Sequence, residues 1–254
     1  MPSKLAGILN VTPDSFSDGG ESFLPEDAIT QAEQLIADGA DVIDIGAEST
    51  RPGATPLTST QEWERLAPVL ERLIGKATIS IDTRHPETAK KALAMGADWI
   101  NDVSGLADPA MAEVLANYPQ SYYVLMHSLS VPADPNQILP EEQDVVQAIL
   151  HFARQKLEYL AEQGIAKERT IFDPGIGFGK NAQQSLELIE RIEEFKTLGV
   201  PLFVGHSRKS FLAKFSNTLA ADRDALTLEF SKKLSACGVD YLRVHNVKLH
   251  HHGL

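Results

Sequence analysis

Gly39-Ala-Asp-Val-Ile-Asp44 is the stretch whose reading decides the fold. A glycine stops a helix, an apolar run makes a short strand, and a polar residue ends it. The phrase returns as Gly96-Ala-Asp-Trp-Ile-Asn101 and as Gly238-Val-Asp-Tyr-Leu-Arg243. Elsewhere the order is kept with other letters. Leu5 to Leu9 delivers Asn10, Thr78 to Ile81 delivers Asp82, Tyr122 to Met126 delivers His127, and Ile171-Phe172 delivers Asp173. Leu202-Phe-Val204 exits through Gly205 to Ser210, and Tyr241 to His245 is the last strand. Runs without alternation belong to strands covered on both faces. Strands alternating with helices imply right-handed βαβ units and a parallel sheet, and about eight such units predict a closed (β/α)8 TIM barrel. An open doubly wound sheet is the runner-up, but the Gly-rich dinucleotide loop it should carry after the first strand is absent.

The helices between follow from their apolar faces. Ala28, Ile29, Ala32, Leu35 and Ile36 line one of them. Ser59 and Glu62 have capping-box spacing ahead of a helix in which Pro68 should cause a kink. Pro86 stands where a helix begins. Helices are also expected from Pro109 to Ala116, from Glu141 to Gln163 and from Gln183 to Leu198, with Ser128 to Pro140 a surface loop. Nine residues follow His245, so the final helix is expected to be missing or truncated, leaving one face of the first and last strands uncovered.

The 254 residues are read as a single domain, 1–254. A net charge of −12 argues against nucleic acid and against an anionic membrane surface as partners. No apolar run reaches membrane-spanning length, and no signal peptide precedes the first strand. One cysteine, Cys237, cannot make an internal disulfide. A cytoplasmic location is expected.

In such a barrel the site lies at the carboxyl ends of the strands. Those ends carry Asn10, Asp44 with Thr50 and Arg51 beyond it, Asp82, Asn101, His127, Asp173, Lys209, and Arg243 with His245. The segment Ile171-Phe-Asp-Pro-Gly-Ile-Gly-Phe-Gly-Lys180 shows how such an end is built. Pro174 halts the ladder, and glycines let backbone approach a ligand closely.

These phrases resemble dihydropteroate synthases. The matching segments are Gly7 to Gly20, Glu48-Ser-Thr-Arg-Pro-Gly53, Ile81-Asp-Thr83, Ile100-Asn-Asp102, Asp173 to Lys180, Ser207-Arg-Lys-Ser210 and Arg243-Val-His245. They run in the family's order along nearly the whole chain. The resemblance implies a transferase of folate biosynthesis and a sulfonamide target. It would join 6-hydroxymethyl-7,8-dihydropterin diphosphate to 4-aminobenzoate and release diphosphate with Mg2+ present.

The residue types suit that chemistry. Asp82, Asn101 and Asp173 accept from the donor-rich edge of a pterin, and Lys209 donates to its ring carbonyl. Val103, Met126 and Gly205 complete the pterin pocket by resemblance. Asn10 is an oxygen ligand of the kind magnesium takes beside water and phosphate. Arg243 and His245, with Asn10 and Thr50, suit the diphosphate, although a strand-end ion pair would also account for the first two. Thr50, Arg51, Pro52, Phe178, Lys209 and Ser210 line the aminobenzoate pocket by resemblance, with Phe178 as a core aromatic the alternative. Asp82, Asp173 and Lys209 are the expected catalytic residues, aiding departure of diphosphate before the arylamine attacks. Loops from Thr12 to Gly20 and from Ser49 to Gly53 would exclude water. The chain departs from the family at Asn246, where an Asp is usual. A homodimer is expected. His250 to His252 are read as a tail without chemical consequence, metal binding being the other reading. The alternatives in function are an idle pterin-binding subunit and a methyltetrahydrofolate-dependent methyltransferase of the same fold.

Overall fold

The computed structural model describes residues 2–12, 25–50, 53–215 and 223–254. Eight parallel strands form one sheet: β1 (Lys4–Asn10), β2 (Val42–Gly46), β3 (Thr78–Asp82), β4 (Trp99–Asp102), β5 (Tyr122–Met126), β6 (Thr170–Asp173), β7 (Phe203–Val204) and β8 (Tyr241–Val244). Their order is β6-β5-β4-β3-β2-β1-β8-β7. Between β6 and β7 the ladder narrows to a single bridge, Phe172 with Leu202, and the Phe172 N–H donates to Pro201 O at 2.9 Å. That seam closes the barrel.

Because strand side chains alternate, residues two apart share a face. Ala6, Val42, Trp99, Val124, Ile171 and Phe203 pack together, with Tyr241 against them, and plug the lower barrel. Two residues further along the same strands come Asp44, Asn101, Met126, Asp173, Gly205 and Arg243, then Asn10, Asp82 and His245. The inward stripe therefore turns from apolar to polar as it rises toward the strand ends. A second, larger core fills the space between barrel and helices, where Leu9, Ile43, Ile45, Leu66, Leu70 and Phe172 are fully buried.

The helices are α1 (Pro25–Ala37), α2 (Ser59–Leu73), α3 (Pro86–Met95), α4 (Ala110–Asn117), α5 (Val145–Glu162), α6 (Ala182–Glu190), α7 (Asp224–Ala236) and α8 (Val247–Gly253). Several expectations need correction. The capping box of α2 is Thr58 with Gln61, one residue before the expected pair. Thr58 is extended, so its hydroxyl reaches the Gln61 N–H while Gln61 returns to the Thr58 N–H. Glu62 instead turns inward and accepts from Thr83 Oγ1 at 2.7 Å. Pro68 lies inside this helix, where it was expected. Helix α5 starts at Val145 rather than Glu141, because the Asp144 carboxylate takes the N–H groups of Val146 and Gln147. The expected 183–198 helix divides into α6 and a 3₁₀ stretch, Ile192–Leu198.

The final helix is short but not missing. Asn246 caps α8 by accepting from the Leu249 N–H at 3.0 Å. Val247 then seats on the outer face of β1, where a Cβ on Gly7 would stand 3.1 Å from its Cγ2. The position that departs from the family pattern thus starts the helix that covers the first strand.

Candidate active site

The polar tier centres on Asp44, which is fully buried. Its Oδ1 accepts from Ser80 Oγ at 2.6 Å, and Asn101 Nδ2 donates to Oδ2 at 3.1 Å. Arg243 Nε donates to Oδ2 at 2.5 Å, while Arg243 Nη2 donates to Asp82 Oδ2 at 2.8 Å. Four strands, β2, β3, β4 and β8, thereby place Asp44, Asp82, Asn101 and Arg243 in one network. Sequence reasoning placed Asp44 at a strand end without giving it a role. Its signal was two-residue spacing from the inward-facing Val42.

Burial drives the Asp82 carboxyl up to about 7, with Arg243 pulling it back and Asp44 pushing it further up. Asp173, at the end of β6, is also raised by burial, against the pull of Lys209. Its Oδ1 accepts the Gly175 N–H at 2.7 Å. Gly205 leaves room where a side chain would stand, near both Asp173 Oδ2 and Arg243. Burial lowers the Lys209 ammonium to about 8, against Asp173. Lys209 donates to Ile176 O and lies 4.6 Å from the centre of the Phe178 ring. Phe178 is only half-buried, so it is a platform for that cation rather than a core aromatic.

Met126 pairs with Asp173 across β5 and β6, and Val103 is buried just past β4. Asn10 ends β1 opposite Gly46, whose neighbour across β3 is Asp82. His245 Nδ1 and Ser207 Oγ are 2.9 Å apart. Thr50 and Ser210 stand on surrounding loops. Thr50 O accepts from the Ala133 N–H at 3.2 Å, and Ser210 is exposed at the start of the 3₁₀ stretch Ser210–Lys214. Arg51, Pro52 and segment 13–24 of the first loop lie outside the described residues. Among the described residues no group of three or more His, Cys, Asp or Glu gathers as a metal site.

Several buried side-chain atoms among the described residues lack a partner, and Asn101 Oδ1 is the one that stands on the inward stripe. A buried orphan of this kind costs on the order of 1–3 kcal/mol unless something fills its valence. Here it lies on the inward stripe beside two carboxylates. The arrangement defines a (β/α)8 barrel enzyme whose mouth offers several acceptors at depth and cations around them.

Comparison with known proteins agrees with the barrel enzyme class. The family described as pterin binding enzyme matches residues 6–245. A probable bifunctional folylpolyglutamate synthase/dihydropteroate synthase of Halobacterium salinarum is 44% identical over 95% of this chain, which spans 29% of that protein. A dihydropteroate synthase of Streptococcus pyogenes serotype M3 is 40% identical over 96% of the chain and 90% of its own length. The crystal structure of an Anaplasma phagocytophilum dihydropteroate synthase with bound 6-hydroxymethylpterin-monophosphate superposes with a TM-score of 0.91 at 38% identity. It covers 100% of this chain and 97% of that one. The chain belongs to the pterin-binding enzyme family.

Proposed function

We propose that the chain is a dihydropteroate synthase, acting as one barrel domain over its length. It joins 6-hydroxymethyl-7,8-dihydropterin diphosphate to 4-aminobenzoate, giving 7,8-dihydropteroate and diphosphate. The observation that carries this reading is the acceptor set on the inward stripe, the buried Asn101 Oδ1 and Asp173 with the partly buried Asp82 beside them. A pterin edge carries ring N–H and exocyclic amine donors that such a set satisfies. Lys209, on the facing side, donates to the ring carbonyl.

The reaction breaks the bond between the pterin methylene carbon and the diphosphate oxygen, and the electron pair leaves with diphosphate. The ring electrons and the carboxylates of Asp82 and Asp173 stabilise the positive charge left on the methylene. The arylamine lone pair is free at neutral pH, so it forms the new C–N bond without a prior base, and the extra proton is then lost to solvent. His245, Thr50 and Arg243 face the leaving group in this scheme. Arg243 is shared with Asp44 and Asp82, which fixes its guanidinium in place before substrate arrives. Thr50, Arg51, Pro52, Phe178, Lys209 and Ser210 surround the aminobenzoate.

Magnesium binds chiefly through substrate phosphates and water with one or two protein oxygens, so the half-exposed amide of Asn10 fits it without a protein cage. When bound, it would neutralise charge on the departing diphosphate. A homodimer and a cytoplasmic setting complete the proposal. No helix among the described residues is long and apolar enough to cross a membrane. The idle-subunit reading rested on the shortened end, and α8 removes that reason. Incubating the chain with pterin diphosphate, 4-aminobenzoate and magnesium tests the proposal. Dihydropteroate and diphosphate are expected in equal amounts, whereas pterin binding without product would restore the idle subunit.

A further inference from the structure

Lys180 and His127 are almost completely buried and take no part in the scheme above. Lys180 Nζ has three partners: His127 Nδ1 at 2.7 Å, His127 O at 3.0 Å and Gly175 O at 2.9 Å. Three acceptors match the three protons of an ammonium group. His127 must then offer a lone pair at Nδ1, which makes it the neutral Nε2–H form. Burial, followed by the Lys180 charge, holds its pKa down to about 3, in keeping with that assignment.

The place of this contact matters more than its strength. His127 follows β5, and its N–H donates to Asp173 O at 3.0 Å. Gly175 supplies the N–H that holds Asp173 Oδ1. Lys180 comes back from the far end of the same loop and closes segment 175–180 into a ring. That ring also presents Ile176 O and Phe178 to Lys209. Gly175 sits at φ +69°, and any Cβ there would lie 1.9 Å from His127 O, so the ring has no slack at this point.

We propose that Lys180 and His127 form a buried positioning pair that locks the glycine loop, and with it the Asp173 carboxylate, into the arrangement that accepts the pterin. The inference rests on the reading of Asp173 as a pterin acceptor. The pair touches no substrate and acts through Gly175 and the field it lays on Asp173. Burial pushes the Lys180 ammonium well below its ordinary range and Lys209 beyond β7 adds to that, while Asp173 on β6 and the three acceptors around Nζ favour the charged form. The positive charge of Lys180 favours the ionised form of Asp173.

The test is calorimetric titration of 6-hydroxymethylpterin into the wild type, Lys180→Met, Lys180→Arg, His127→Asn, His127→Leu and Asp173→Asn. Lys180→Met is expected to weaken binding by about tenfold or more. His127→Asn keeps an acceptor near the Nδ1 position and should stay within about threefold of wild type, whereas His127→Leu should not. The double variant Lys180→Met/Asp173→Asn should lose less than the two single losses combined, because both act on one carboxylate. The affinity of Lys180→Met should also fall with acid at a higher pH than wild type does, since Asp173 has lost one of the three cations that face it and keeps Lys209 and Arg243. A purely packing role would lower the melting temperature without moving that profile. Lys180→Met binding within about twofold of wild type at an unchanged pH profile overturns the pair. Should that variant not fold, full affinity in His127→Leu does the same. Failure of the wild type itself to bind the pterin would instead sink the proposed function, and binding unaffected by Asp173→Asn would sink the role of that carboxylate.

Discussion

Replacing Asp44 with Asn should cost the fold more than replacing any single rim residue. Asp44 is a fully buried carboxylate holding three donors, from Ser80, Asn101 and Arg243. An amide in its place keeps one oxygen and turns an NH2 group toward a neighbouring donor, leaving the Arg243 charge with half its compensation. Removing one partner of a buried ion pair costs roughly 3–5 kcal/mol. Arg243 is 20% exposed and retains Asp82 at 2.8 Å, which argues for the low end. About 3 kcal/mol, at about 2–4 °C per kcal/mol for a chain of this size, corresponds to a melting temperature about 6–12 °C lower. Differential scanning fluorimetry at pH 7 reads this directly. Ser80→Ala, which removes one hydrogen bond to a charged acceptor, should cost about half as much. A fall below about 2 °C for Asp44→Asn would show that Asp44 is not the hub that its bonds describe.

Other expectations follow from the same geometry. The specificity constant for the pterin substrate should be highest between about pH 7, where Asp82 loses its proton, and about pH 8, where Lys209 loses its own. A flat profile from 6 to 9.5 would refute the assignment of these groups. Stability should run the other way on the alkaline side. The buried Lys209 charge opposes folding below its folded value of about 8, and that penalty is relieved as pH rises toward its unfolded value of 10.5. Melting temperatures that do not rise, or a Lys209→Met variant with the same alkaline trend, would count against it. Gly175→Ala should be far worse than Gly177→Ala, although both sit at positive φ. The first drives a methyl into His127 O, whereas the second meets only Lys209 Cδ at 3.5 Å and should cost about 1–2 kcal/mol. Equal losses in melting temperature would refute this. Deleting residues 247–254 uncovers the outer face of β1, so sedimentation should show assemblies larger than those of the full chain, and an unchanged profile would mean that α8 shields nothing.

The barrel was legible because its repeated phrase encodes both a helix stop and a strand, and the glycines do sit in the left-handed region. Gly39, Gly96 and Gly238 have φ of 98°, 110° and 74°. The inward stripe was legible as well, since strand spacing alone sorts Asp82, Asn101, Asp173 and Arg243 onto one side. What the letters hid was pairing across long separations. Asp44 and Arg243 are 199 residues apart, and Lys180 and His127 are 53 apart. No local pattern announces either contact. The capping box slipped by one residue because Ser59 and Glu62 have the right spacing, as do Thr58 and Gln61. Only the backbone angle of Thr58 and the inward turn of Glu62 decide between them. Helix α8 escaped notice because seven residues, three of them histidines, carry too short an apolar face to read. Val247 needs no periodicity to cover β1; it needs only a cap at Asn246 to aim it.

The depth order of the mouth supports the order of events in the proposed reaction. Asn101 and Asp173 are 3% and 4% exposed, just above the apolar plug around Trp99 and Phe203. A flat heteroaromatic ring that enters first gains most there, because acceptors withdrawn from water repay their desolvation only when a donor arrives. Asn10 and His245 lie one inward position further out and are half-exposed. A polyanion that must leave as a hydrated ion is better placed at that level than at the floor. Lys209 stands between, with one side to Asp173 and the other to Phe178. An arylamine stacked over that ring would meet the methylene carbon on the side away from the plug. A barrel with the two tiers exchanged would strand the diphosphate in the apolar layer, where neither water nor a hydrated cation could follow it out.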